Sequence, residues 1–327
     1  MEPKNIKIVF WGTPEFALPS LEALIKNGYS VAAVITNPDE PIGRSQIITP
    51  PPAKVLAQKH KIHVFQPEKL NAETFRNELP EADLFIVAAY GKIIPKDILE
   101  IPRYGALNIH PSLLPRWRGP SPIQYTILHG DKETGVTIIK IDELMDHGPI
   151  VANYKLLASL KLRRSGQVTN YKITCRELQN KLAEIGAELL IETVPKWIRG
   201  EITPMPQDDS QATYSKILKK DDGRINWSRP AEEIERMIRA FNPWPGTWTI
   251  WPSREKISRL RIEEAETAQD EAPAGTPGFV WQTGQKLFVK TGHQNLEIKK
   301  LTLEGKKSLV VQDFLRGHPE IAGEVLI

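Results

Sequence analysis

The sequence predicts an α/β protein in which an N-terminal domain with a mostly parallel sheet is followed by a smaller C-terminal β-barrel. Three observations carry that reading. Short apolar runs alternate with helix-spaced segments through the first half, as in a sheet covered on both faces. Beyond about residue 195 the texture changes to short β-like runs separated by Gly, Pro and charged turns. The 327 residues, 40% apolar and 25% charged, suffice for two globular cores.

The elements follow in order. Residues 6–11 (IKIVFW) read as a buried strand entering a Gly-Thr-Pro turn, and residues 16–27 have helical apolar spacing ended by Gly28. Residues 31–36 (VAAVIT), 62–65, 82–89 (ADLFIVAA), 106–110 (ALNIH) and 136–141 (VTIIKI) read as further strands, with a helix over 53–60. Residues 172–197 form one or two helices, with an apolar stripe of Leu178, Leu182, Ile185, Leu189 and Leu190. Residues 200–211, rich in proline and polar side chains, read as a linker between domains spanning 1–199 and 212–327. A helix over 232–241 and strands near 247–251, 258–262, 278–282, 286–290 and 295–301 complete the second domain. No internal repeat or low-complexity tract interrupts this order.

Composition narrows the function classes. The net charge is only +3 and the pI is 8.7, a mild basic bias that permits a polyanionic partner without requiring one. A single cysteine, Cys175, excludes an internal disulfide and a multi-thiolate metal site, and reads as a small apolar residue. Charges and a proline in MEPKNIKIVFWGTPEF speak against a signal peptide, and no run approaches the roughly 20 apolar residues of a membrane span. A cytoplasmic location is expected.

In an α/β sheet ligands sit at the carboxyl ends of strands, so the polar residues closing each apolar run are the candidates. Asn108 and His110 close the 106–110 strand. Alternation puts them on one face, about 7 Å apart. An amide that donates to an oxyanion, beside an imidazole that moves protons, suits acyl transfer. The same tetrapeptide, NIHP, equally fits a strand-end histidine satisfied by backbone groups. Asp146 lies just past the next strand and reaches His110 if the two strands are neighbours. Alone, it also fits a turn aspartate before Gly148.

The chain carries FWGTPEFALPSL, PDEPIGR, TPPPAKVLA and AAYGKIIP ahead of NIHP, continues past it as SLLPRWRGPSP, and then carries TGVTI, MDHGPI, AFNPWPG and VQDFLRG, in that order. This ordered set, spanning residues 6–317, resembles the folate-dependent formyltransferases. The resemblance implies a Rossmann-like N-terminal domain and a C-terminal barrel of oligonucleotide-binding type. It implies 10-formyltetrahydrofolate as donor and co-substrate, with no tightly bound cofactor. The implied acceptor is the α-amine of methionine esterified to initiator tRNA.

By motif match, Asn108, His110 and Asp146 take the catalytic positions. Ala88, Tyr90, Gly91 and Ile93, with Ile141 before Asp146, match segments that hold the pterin ring largely through backbone groups. Ser112, Leu113, Leu114 and Pro115 match the signature beside the donor pocket. Arg44 matches the arginine of a loop that grips the tRNA acceptor end, although Ser45, Gln46 and Ile47 leave this loop less basic than its relatives. Lys216, Lys219, Lys220, Arg224, Lys299, Lys300, Lys306 and Lys307 offer the barrel a phosphate-binding face, or an ordinary solvated surface. Trp244, Trp248 and Trp251 alternate like a buried strand entry and are read as core, with base stacking the other option. A monomer is expected.

Four other readings compete. A metal site from His110, His129 and His147 lacks zinc-ligand spacing, and Gly12-Thr13-Pro14-Glu15-Phe16 is not a nicotinamide fingerprint. A formyltransferase for a small amine, such as a nucleotide sugar or purine precursor, and a non-catalytic tRNA-binding protein complete the alternatives.

Overall fold

The computed structural model describes residues 5–43, 46–71, 80–157, 160–162, 168–170, 172–252, 257–269 and 272–327. The chain divides into two compact units that are not contiguous in sequence. The first comprises Met1–Pro122, Glu133–Ala158 and Leu178–Lys216, and the second Ile123–Lys132, Ser159–Glu177 and Ile217–Ile327.

The first unit is organised by a seven-stranded sheet. Its strands are β1 (Lys7–Gly12), β2 (Ser30–Ile35), β5 (His63–Phe65), β6 (Leu84–Ala88), β7 (Ala106–His110), β8 (Glu133–Lys140) and β9 (Ile150–Leu157). The order is β5-β2-β1-β6-β7-β8-β9. The first five are parallel, as the apolar runs predict. β8 and β9 are antiparallel, and β9 is absent from the sequence reading. Its sequence, IVANYKLL, is largely exposed, so burial leaves little apolar signal on this edge strand. Two short antiparallel ladders stand apart from this sheet: β3 (Glu40–Ile42) with β4 (Ile47–Thr49), and β10 (Leu160–Leu162) with β11 (Val168–Asn170).

Close packing fixes the layers. A Cβ at Gly12 would lie 2.7 Å from the Ala17 Cβ and 2.9 Å from the Ala88 carbonyl, so only glycine lets the chain leave β1 against β6. The helix Leu18–Lys26 then buries Leu21 and Leu24. Residues 172–197, expected as one or two helices, form a single helix, Cys175–Ile198, with Pro195 inside it. Its Gly186 faces Ile109 and Val136, which puts this helix on β7 and β8. Leu178, Leu182 and Leu190 are fully buried, each worth about 1.5–3 kcal/mol relative to exposure.

Residues 200–211, expected as a linker, lie along the first unit as a strap. Ile150 and Met205 exchange backbone hydrogen bonds of 2.7 and 2.8 Å. Polar side chains of this strap reach the loops after β7 and β8, which proline-rich sequence alone does not disclose.

The second unit is an antiparallel sheet in the order β12 (Thr247–Pro252), β13 (Ile257–Ala268), β16 (Asn295–Leu303), β15 (Lys286–Lys290), β14 (Val280–Thr283), with β17 (Ser308–Val310) on β16. Residues 323–327 close it: Val280 N–H donates to Glu324 O, and Ile327 exchanges bonds with Ile250 on β12. Pairing one segment with both edges removes the exposed ladder groups of an open sheet. The helix Ala231–Phe241 buries Ile234 and Ile238 in the same core as Trp251 and Phe314.

Candidate active site

Asn108 pairs in register with Val87 of β6 on one side and Ile139 of β8 on the other. β8 runs back along β7 and ends at Lys140 opposite Leu107, so it is the loop after β8 that folds back to bring Asp146 onto Asn108 and His110. Asn108 Nδ2 donates to Asp146 Oδ1 at 3.3 Å, and His110 Nδ1 faces the same oxygen at 3.5 Å. Gly119 N–H donates to Asp146 Oδ2 at 2.8 Å. The three side chains expected to converge do so.

The ring orientation of His110 follows from its other contact. Nε2 lies 3.0 Å from the Trp117 carbonyl. A carbonyl only accepts, so Nε2 carries the proton and Nδ1 is the nitrogen turned to Asp146. Two acceptors facing each other at 3.5 Å leave a place between them where one proton can be taken up and given back. His110 is only 4% exposed. The Asn108 amide keeps a second N–H beyond the one given to Asp146.

The backbone here is unusual. Ala89, Trp117 and Asp146, all non-glycine, have φ of 50°, 60° and 50°. Such conformations persist where surrounding bonds over-determine them, and they concentrate at functional sites. Gly119 (φ 106°) meets the Ser215 carbonyl, which a Cβ would approach to 2.6 Å.

The expected donor-side residues divide by what they touch. Ala88 ends β6 and pairs with Gly12. Tyr90 is buried, and its side chain packs edge-on against Trp11 at 5.1 Å. Burial pushes its phenol up to about 12, and the hydroxyl finds no hydrogen-bond partner among the described residues. Gly91 has φ 85° and Ile93 is 81% exposed. Ile141 N–H donates to Ala106 O, continuing the β7–β8 ladder, and Lys96 pairs with Glu143.

Ser112 faces inward: its hydroxyl donates to Arg116 O, and its carbonyl accepts from Thr137. Leu114 N–H donates to the same Thr137 hydroxyl, and Leu113 packs on Gly135. Pro115 O accepts from Thr213 N–H. These residues shape the loop from within.

Sequence reasoning missed the groups that brace the site. Gln207 Nε2 donates to Asp146 O and Gly148 O, both at 2.8 Å. Arg118, 2% exposed, donates to Gln207, Asp209 and Tyr214. Its guanidinium holds Asp209 below the usual carboxylate range. His147 bridges Asp142 (2.6 Å) and Asp209 (3.4 Å), and the hydrogen bond it donates to Asp142 raises the imidazole. Little local signal marks these residues: apart from Asp142 and His147, five positions apart, their partners lie 59 to 96 positions away.

His147 is therefore committed to carboxylates, and among the described residues no cluster of three His, Cys, Asp or Glu side chains is placed to hold a metal ion. Burial pushes the Cys175 thiol up to about 12, which leaves it unreactive. Arg44 lies outside the described residues.

On the barrel, Lys299 pairs with Glu266 and Glu297, and Lys300 lies 3.9 Å from Glu264. The arginines are placed differently. Arg259 and Arg224 lie over the Trp248 ring at 4.1 and 5.8 Å. Of the three tryptophans expected in the core, Trp251 and Trp248 are buried, Trp248 beneath the arginines, and Trp244 is 59% exposed.

Comparison with known proteins assigns the chain. A family model described as formyl transferase matches residues 4–194, and one for the formyl transferase C-terminal domain matches 217–319. The chain belongs to the formyl transferase family. This formyl transferase is 40% identical over 325 residues to the methionyl-tRNA formyltransferase of Citrifermentans bemidjiense, covering 98% of this chain and 96% of that protein. It is 43% identical over 326 residues to that of Chloroflexus aggregans, covering 97% and 99%. Its fold matches HypX from Aquifex aeolicus, solved in complex with tetrahydrofolic acid, at TM-score 0.62 and 17% identity. That match covers 97% of this formyl transferase but 47% of HypX, so the chain spans about half the length of that protein. No helix among the described residues is long and apolar enough to cross a membrane.

Proposed function

We propose that this enzyme moves the formyl group of 10-formyltetrahydrofolate onto the α-amine of methionyl initiator tRNA, giving N-formylmethionyl-tRNA and tetrahydrofolate in the cytoplasm. The observation that carries the acceptor is the 40–43% identity, over nearly the full length of both partners, with relatives named methionyl-tRNA formyltransferase. Folate enters and leaves as a co-substrate, and the enzyme acts as a monomer.

The geometry supports a direct chemistry. A neutral amine attacks the formyl carbon, forming a C–N bond and a tetrahedral oxyanion. The free N–H of Asn108 stabilises that oxygen. The ammonium proton passes to the Nδ1–Oδ1 pair of His110 and Asp146, and returns to the folate nitrogen as its bond to the formyl carbon breaks. Trp117 O keeps the other ring nitrogen out of this traffic. In this reading Ala88, Tyr90, Gly91 and Ile93, with Ile141 across the cleft, hold the pterin. The residues Ser112, Leu113, Leu114 and Pro115 set the donor loop.

Residues 1–199 are the catalytic domain and 212–327 bind tRNA, with 200–211 between them. Arg44 contacts the acceptor end, Arg224 and Arg259 supply cations on the barrel, and exposed Trp244 supplies an aromatic face. The test incubates the protein with 10-formyltetrahydrofolate labelled in the formyl group and either methionyl initiator tRNA or nucleotide-linked amino sugars. Label is expected on the methionyl amine; label on the sugar amine alone overturns the reading.

A further inference from the structure

The strap at residues 205–215 ends on atoms that set both partners of the proton-holding pair. Gln207 is its hub. Arg118 Nε donates to the Gln207 oxygen at 3.0 Å. Since a guanidinium nitrogen only donates, the amide oxygen must face Arg118 and the NH2 group must face the two carbonyls, Asp146 O and Gly148 O. One amide thereby clamps two carbonyls that flank His147, across a turn whose first residue, Asp146, is left-handed.

Nothing but glycine fits at the far end of that turn. A Cβ at Gly148 would lie 1.8 Å from Lys140 O.

The same strap reaches the histidine side. Thr213 Oγ1 accepts from Trp117 N–H at 2.9 Å, and Thr213 O accepts from Arg118 N–H at 2.9 Å. Trp117 is the residue whose carbonyl fixes the His110 ring. Ser215 closes on Arg118 O at 2.7 Å, beside Gly119, whose N–H holds Asp146 Oδ2.

We infer that Gln207 is a positioning residue for the reaction: clamped by buried Arg118, it holds the Asp146 turn so that the carboxylate faces His110 Nδ1. This inference rests on the proposed role of Asp146 in moving the proton. Gln207 touches no reacting atom, and its effect passes through Asp146.

Gln207→Glu tests it. The substitution keeps side-chain size and the acceptor for Arg118, but removes both donors and puts a carboxylate against two carbonyls. Turnover should fall about 10–100-fold, the usual range for removing an outer hydrogen-bond partner of a functional group. The KM for each substrate should change by less than about 3-fold. In an Asp146→Asn background the same change should lower turnover by less than about 3-fold further, because a residue acting through another has nothing left to orient.

Unchanged turnover in Gln207→Glu overturns the inference. So does a full, multiplicative loss in the Asp146→Asn background, which marks a general structural role. Near-normal turnover in Asp146→Asn alone overturns the parent reading of Asp146, and with it the role of Gln207. If Gln207→Glu does not fold, Gln207→Met removes the donors without adding charge, and the same non-additivity is required of it.

Discussion

At the carboxyl edge of the seven-stranded sheet, His110 and Arg118 are almost wholly buried, and each of the three oxygens of Asp146 meets a named partner. On the barrel, Lys299 and Lys300 meet the exposed Glu266 and Glu264, with Arg224 and Arg259 beside a tryptophan ring. The first arrangement places polar groups where an unmade hydrogen bond costs about 1–3 kcal/mol. The second uses exposed pairs worth about 0–1 kcal/mol each. One region holds its atoms in fixed places, as the proposed chemistry requires, and the other presents charge that tolerates change. Single substitutions should therefore act on turnover in the first unit and on tRNA affinity in the second.

The largest effect is expected at His110. Replacing it with Ala should lower kcat by about 10²–10⁴ in a folded protein, the range for losing a general acid–base. Retained turnover with a raised KM would erase the contrast between the regions. Next comes Gly119→Ala, which drives a Cβ toward the Ser215 carbonyl at a positive φ. It should destabilise by about 1–3 kcal/mol and lower kcat, read by thermal melting alongside turnover.

A smaller effect is expected for Arg259→Ala on the barrel. The KM for tRNA should rise and its log–log salt slope should fall by about one, with kcat kept. A KM for tRNA that ignores ionic strength would contradict the phosphate-binding role.

The smallest effect is a pH dependence at His147. Its raised imidazole, facing Asp142, Asp209 and the Arg118 charge, binds a proton more tightly folded than unfolded. The resulting stability is present below the ordinary imidazole value of 6.5 and is lost as pH rises through the raised folded value. The melting-temperature difference between wild type and His147→Gln should thus be larger near about pH 5.5 than near about pH 8.5.

Much of this was legible in the chain itself, for stated physical reasons. The runs IVFW, VAAVI and LFIVA announce buried parallel strands because both faces are covered. Strand alternation put Asn108 and His110 on one face, and the loop that folds back after β8 brings Asp146 to them. The direction of β8 and the existence of β9 were not legible, since an exposed edge strand lacks the alternation of a half-buried one. The strap escaped for a different reason. Gln207, Asp209 and Thr213 act only through partners distant in sequence, and a proline-rich stretch looks alike whether it swings free or is bonded along a sheet. Trp244 shows the same limit in reverse, since its alternation with Trp248 predicted burial that it does not have.

Single-turnover formyl transfer, with both substrates saturating, tests the division of labour most directly when wild type, Asn108→Ala and Arg259→Ala are compared. Loss of the oxyanion donor should slow the Asn108→Ala reaction by about 10²–10³ while Arg259→Ala matches wild type. Equal rates for Asn108→Ala and wild type, or a slowed chemical step in Arg259→Ala, would contradict the placement of the chemistry at the carboxyl edge of the sheet.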